Sequence, residues 1–180
     1  MNTKKIVITG GPGTGKSSII HELQKKGYSC LEEISRQVTL KAREDGEEQM
    51  FLTQPLLFSE RLLQGRESQF HEANTIVKPY VFIDRGVPDV LAYMDFIGDV
   101  YPNTFKDVCK SLEYDHIFIL KPWKEIYKSD AVRYENFEQA IEIHECLVKT
   151  YEGFNYTLID VPFDTVENRA DYILNEIRGL

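Results

Sequence analysis

The chain has 180 residues, 42% of them hydrophobic and 28% charged, which suits one compact domain with a real core. Its 21 Lys and Arg face 29 Asp and Glu, and a formal charge of −8 argues against a binder of nucleic-acid polymers, which needs a basic footprint. Cys30, Cys109 and Cys146 are too dispersed for a disulfide or metal framework, the apolar run at the N-terminus is too short for a signal peptide, and no stretch approaches a membrane span. The expectation is a cytoplasmic protein.

Residues 4–9, "KKIVIT", predict a buried strand rich in β-branched residues. After a glycine turn, "KSSIIHELQKKG" places Ile19, Ile20 and Leu23 on one helical face and stops at Gly27. "YSCLEE" reads as a second strand and "ISRQVTLKAREDG" as a helix ending at Gly46. Residues 47–74 read as one long helix entered near Pro55, with Leu56, Leu57, Leu63 and Phe70 as its buried stripe. "YVFID" is the third strand, "DVLAYMDFIG" and "PNTFKDVCKSLE" are two helices, and "HIFIL" is the fourth strand. A polar run over 121–135 follows, then a helix over 136–153, a fifth strand "NYTLIDV" and a closing helix capped by Asp164 or Thr165. Strands alternating with helices imply a parallel sheet with helices on both faces, in a single domain over 1–180.

Four stretches carry chemistry. Gly10, Gly11, Pro12, Gly13, Thr14, Gly15, Lys16 and Ser17 match the phosphate-binding pattern G-x-x-x-x-G-K-[ST] at every fixed position. Glycines let backbone N–H groups point at phosphate oxygens, and the following helix adds its positive end, which brings in Ser18. Lys16 supplies an ammonium for the outer phosphates, and Ser17 offers a hydroxyl to Mg²⁺. Asp84 and Arg85 follow the third strand, where the crevice of an open parallel sheet lies; Asp84 can hold Mg²⁺ through water and Arg85 can grip a phosphate or carboxylate.

Glu32, Glu33 and Arg36 follow the second strand. Side chains alternate along a strand, so one glutamate should face the crevice, where it could take a proton from a substrate hydroxyl. Arg36, three residues after Glu33, would share its face if the helix has begun. In the run 121–133, Lys121, Lys124, Lys128 and Arg133 outnumber Glu125 and Asp130, so cations could close over a transferring group. Trp123, the sole tryptophan, reads as a packing anchor rather than a base-stacking residue, and the four histidines show no metal spacing.

GGPGTGKS on the first strand, Glu-x-x-Arg after the second and "DRGVPDVLAY" after the third resemble the P-loop kinases of nucleosides and nucleotides. The Trp-x-x-Ile-Tyr-x-x-Asp-x-x-Arg run and "VENRADYIL" are similar to a narrower branch, the predicted AAA-type small ATPases and the kinase domains of bacterial nicotinamide riboside enzymes. The resemblance implies a three-layer fold with a five-stranded parallel sheet in order 2-3-1-4-5. It also implies ATP with Mg²⁺, a lid at about 121–135 with Arg133 on the γ-phosphate, and a loop over 161–164 beside the adenine. Glu33 matches the base, and the acceptor grip falls to Glu33, Arg36 and Arg85, with Gln54 the polar group nominated from 50–75.

The leading expectation is therefore phosphoryl transfer from ATP to a small nucleoside- or nucleotide-like acceptor. The alternative is an ATP-binding or ATP-hydrolysing regulatory module without such an acceptor. A GTPase is disfavoured because the chain has no Asn-Lys-x-Asp guanine reader, and a motor ATPase because the third strand ends Asp-Arg rather than Asp-Glu.

Overall fold

The structure, a computed structural model, describes residues 3–47, 49–127 and 135–179. Five strands form one parallel sheet: β1 (Lys4–Gly10), β2 (Ser29–Leu31), β3 (Tyr80–Asp84), β4 (His116–Leu120) and β5 (Leu158–Val161). Their order is β2-β3-β1-β4-β5, as the resemblance implies. The order reverses at β1, so a crevice opens beyond the carboxyl ends of the strands around it.

The helices are α1 (Lys16–Lys25), α2 (Ser35–Glu44), α3 (Met50–Thr53), α4 (Pro55–Ala73), α5 (Pro88–Ile97), α6 (Asn103–Ser111), α7 (Phe137–Gly153) and α8 (Val166–Gly179). Alternation along β1 sorts them into two layers. Ile6 and Ile8 join Phe82 and Phe118 in a core against α1 and α8, through Ile19, Leu23, Ala170 and Ile173. Val7 points the other way, into a core with Ile83, Ile117 and Ile119 that is closed by α4, α5, α6 and α7. Both faces of β1 are buried, which is why its sequence is a continuous apolar run rather than an alternating one.

Residues 47–74 depart from the single helix expected. The chain breaks at Gln54 between α3 and α4, and Pro55 opens α4 because it has no N–H to contribute to a continuing helix. The buried stripe also differs. Leu56 and Leu57 are 38% and 37% exposed, whereas Ser59, Leu63, Arg66, Gln69, Phe70 and Ala73 are buried. Leu57 is out of phase with that stripe. Leu56 is in phase, but it sits in the first turn, which lines a surface cleft with Asp99 and Val100.

Past β4 the chain runs through Trp123 to Tyr127 before residues 128–134, which lie outside the described residues; Arg133 is among them. α7 then starts at a reciprocal cap. The Asn136 side chain accepts from Gln139 N–H at 2.8 Å, and the Gln139 side chain accepts from Asn136 N–H at 2.9 Å. Thr165 caps α8, its hydroxyl accepting from Asn168 N–H at 3.3 Å. Among the described residues no helix is long and apolar enough to cross a membrane.

Candidate functional site

The glycine-rich loop joins β1 to α1. Gly10 has φ +148°, and a Cβ there would stand 2.6 Å from the Leu120 carbonyl oxygen, so only glycine lets the end of β1 lie beside β4. Gly15 precedes α1 in the left-handed region, φ +91°. Lys16 is 7% exposed, and its Nζ donates to the Gly11 carbonyl at 2.8 Å; the Thr14 hydroxyl donates to the same oxygen at 2.9 Å. The loop is thus held shut on its own ammonium. Burial, with Arg85 adding repulsion, pulls Lys16 down from 10.5 to about 7. An arriving phosphate would restore its charge. Ser17 and Ser18 are exposed on the first turn of α1, free to meet ligand oxygens.

Asp84 closes β3, 2% exposed, and among the described residues its Oδ1 has no hydrogen-bond partner. Burial pushes its carboxyl above the usual range, against the pull of Lys16 and Arg85. An orphaned buried carboxylate oxygen beside a phosphate loop fits Mg²⁺, whose remaining ligands would be the Ser17 hydroxyl, water and phosphate. Among the described residues no group of three or more His, Cys, Asp or Glu could hold a metal alone, so the ion would need those other oxygens.

The turn after β3 is left-handed at Arg85, φ +71°, a conformation that costs a non-glycine residue roughly 1–2 kcal/mol. It follows a ladder bond from Arg85 N–H to the Ile8 carbonyl at 3.0 Å. The Arg85 side chain crosses the crevice: Nε pairs with Glu33 Oε2, and Nη1 donates to the Gly10 carbonyl and to Asp89 Oδ1, each at 3.2 Å. Asp89 is fully committed, accepting from the Thr9 hydroxyl at 2.6 Å, Gly86 N–H at 3.0 Å and the Tyr151 hydroxyl at 2.5 Å.

Of the two glutamates after β2, Glu33 faces the crevice. Glu32 is exposed and accepts from Gln24 at 2.9 Å. β2 ends at Leu31, so neither glutamate is in the strand as expected. Glu33 Oε1 accepts from Arg66 Nη2 at 2.8 Å and from Ser35 N–H, at the start of α2, at 3.1 Å. Burial alone would raise its carboxyl, but Arg66, Arg85 and the Ser35 N–H outweigh that and hold it at about 2. Arg66 is 3% exposed and also donates to the Asp84 carbonyl at 3.3 Å.

Lys16, Glu33, Asp84 and Arg85 thus converge, and Arg66 joins them. Arg36 does not: it is exposed on α2, and the guanidinium groups on Glu33 come from Arg66 and Arg85. Gln54 is exposed too, lining the cleft with Asp99 and Val100. Lys121 pairs with Asp160 of β5 at 2.6 Å, on the surface. Trp123 stacks on Phe163 with centroids 5.0 Å apart and planes 21° apart, and Arg169 lies over its ring at 5.7 Å. Sequence reasoning missed Arg66, Gln69, Asp89 and Arg169. The available signal was a charged or amide residue in phase with a buried helical stripe, as at Arg66 and Gln69 among Leu63, Phe70 and Ala73.

A family model described as an AAA domain matches residues 5–169. No curated protein matches. Among solved structures, a deoxyadenosine kinase from M. mycoides is 19% identical with a TM-score of 0.70, over 98% of this chain and 100% of that one. NadR in complex with NR is 18% identical with a TM-score of 0.77, over 99% of this chain but 52% of that one, so the chain spans about half of NadR. A thymidylate kinase from Candida albicans is 15% identical with a TM-score of 0.68, over 99% of this chain and 92% of that one. The chain belongs to the AAA domain family and has the P-loop fold of nucleoside and nucleotide kinases.

Proposed function

We propose that the protein transfers a phosphoryl group from Mg²⁺-bound ATP to a small nucleoside- or nucleotide-like acceptor. The observation that carries this reading is Glu33, a crevice-facing carboxylate held by Arg66 and Arg85 beside Lys16 and Asp84. Hydrolysis needs no such acceptor grip. The P-loop backbone, Ser17 and Ser18 would hold the donor's phosphates and Lys16 would neutralise charge as it develops. The Ser17 hydroxyl and Asp84 would hold Mg²⁺, which supplies further positive charge to the phosphates when bound. Glu33 would accept a hydrogen bond from the acceptor hydroxyl, orient its oxygen and take its proton late, as the new O–P bond forms and makes that proton acidic. A carboxyl held at about 2 is a weak base, and phosphoryl transfer makes little demand for a strong one. Arg85 would grip the acceptor, and Arg133 would serve the γ-phosphate from the lid.

The test is ATP and Mg²⁺ with a panel of nucleosides, nucleoside monophosphates and vitamin ribosides, read as phosphorylated product. Product from one class supports the reading; ATP hydrolysis with no phosphorylated acceptor sinks it. That outcome would favour the second reading, a nucleotide-binding or hydrolysing regulatory module. One observation leans that way: Arg66 and Arg85 already share Glu33, so an acceptor must enter a cluster whose charges are mutually satisfied.

A further inference from the structure

Arg169 stands in α8, behind the phosphate loop, and is 1% exposed. Its Nη1 donates to the Thr14 carbonyl at 3.0 Å. Its Nε and Nη2 are buried and, among the described residues, have no hydrogen-bond partner. Among the described residues no carboxylate pairs with it: its neighbours are the Trp123 ring at 5.7 Å and Gly15, where a Cβ would come within 2.9 Å of Nη1. Burial lowers its affinity for the proton, and no anion among the described residues offsets that effect. The other buried guanidinium groups of this crevice, Arg66 and Arg85, both sit on Glu33. A buried cation with two idle donors is costly unless an anion arrives to compensate it.

The peptide it touches gives the anion a place. A trans peptide holds its C=O and N–H on opposite sides. The Thr14 carbonyl is turned to Arg169, so the Gly15 N–H is turned the other way, away from the guanidinium. The Gly11 carbonyl, three residues earlier, is arranged differently: it faces Lys16, and the next residue, Pro12, has no N–H to lose.

We propose that Arg169 is a positioning residue for the polyphosphate: it fixes the Thr14–Gly15 peptide with its N–H toward the ligand and supplies an uncompensated positive charge behind the loop. This rests on the loop being a nucleotide site, but not on phosphoryl transfer.

The test measures dissociation constants of the full chain for ATP, ADP and inorganic pyrophosphate by calorimetry, with melting temperatures alongside. Arg169→Gln loses the charge and Arg169→Lys keeps it. Arg169→Gln is expected to weaken all three ligands by at least about tenfold, the scale of one charge-assisted hydrogen bond, and Arg169→Lys by about threefold or less. Without ligand, Arg169→Gln should melt at the same temperature as Arg169→Lys or higher, because it buries no charge. If Arg169→Gln does not fold, Arg169→Met, which keeps the aliphatic stem, takes its place. Equal weakening by Lys and by the neutral residue would mean a packing role only and overturn the proposal, as would wild-type affinity in the neutral variant or a wild-type chain that binds none of the three. Tight ATP binding without transfer to any acceptor would sink the kinase reading and leave this one standing.

Discussion

Arg66 Nη2 donates to Glu33 Oε1 at 2.8 Å, across 33 residues of chain, and so ties the middle of α4 to the turn between β2 and α2. The pair closes one wall of the crevice. Arg66→Met would leave Glu33 with Arg85 and the Ser35 N–H, and free the Asp84 carbonyl. The expected loss is about 1–3 kcal/mol, read by urea unfolding, because a charged buried partner is removed but not the last one. A loss under about 0.5 kcal/mol would mean that the contact contributes little.

Lys16 makes nucleotide binding depend on protons. Its ordinary value is 10.5 and burial brings it to about 7. Between those values the unfolded chain binds more protons, so this group makes the ligand-free protein more stable as pH rises across that window. A phosphate at Nζ favours the charged form, so binding ATP at pH 8 should take up about one proton. Calorimetry in two buffers of different ionisation enthalpy reads the number directly, and proton release would contradict the arrangement.

Glu33 gives an acid-side signature. Its carboxyl lies at about 2 in the folded chain against 4.5 ordinarily, so its contribution is complete above 4.5 and is lost as pH falls through about 2. Wild type should therefore exceed Glu33→Gln in stability at pH 6, with a gap that narrows by pH 3. In transfer assays the same variant should lose about a hundredfold, the lower end for a group that handles a substrate proton, while keeping its affinity for ATP.

Asp84→Asn should separate stability from activity. The buried carboxylate has an unpartnered oxygen, so the neutral amide should melt at the same temperature or higher. Activity should then need at least about tenfold more Mg²⁺, the loss expected when a charged ligand becomes neutral. A lower melting temperature with unchanged Mg²⁺ dependence would remove Asp84 from the metal's shell.

How much was legible depends on range. β1, the glycine loop and α1 were readable because a buried strand, a turn and a helix start are local patterns, and the strand order came with the resemblance. Arg66 and Arg169 were not, because their partners are long-range: Asp84 is 18 residues from Arg66, and Thr14 is 155 from Arg169. A guanidinium inside an apolar stripe looks like a phase error until the fold delivers its acceptor. Arg36 shows the converse: three residues after Glu33 it was expected to share that face, but it is exposed on α2 and the arginines at Glu33 come from farther along the chain. Leu56 and Leu57 misled because hydrophobicity in a first helical turn does not reveal what covers it.

Trp123 lies between Phe163, from the loop after β5, and Arg169, which holds the phosphate loop. It is also the only tryptophan in the chain. Indole emission responds to stacking and to nearby charge, so ligand events that disturb either neighbour should change one clean optical signal. The molecule carries its own probe beside its phosphate loop, and stopped-flow fluorescence could time the arrival of a ligand there without any label.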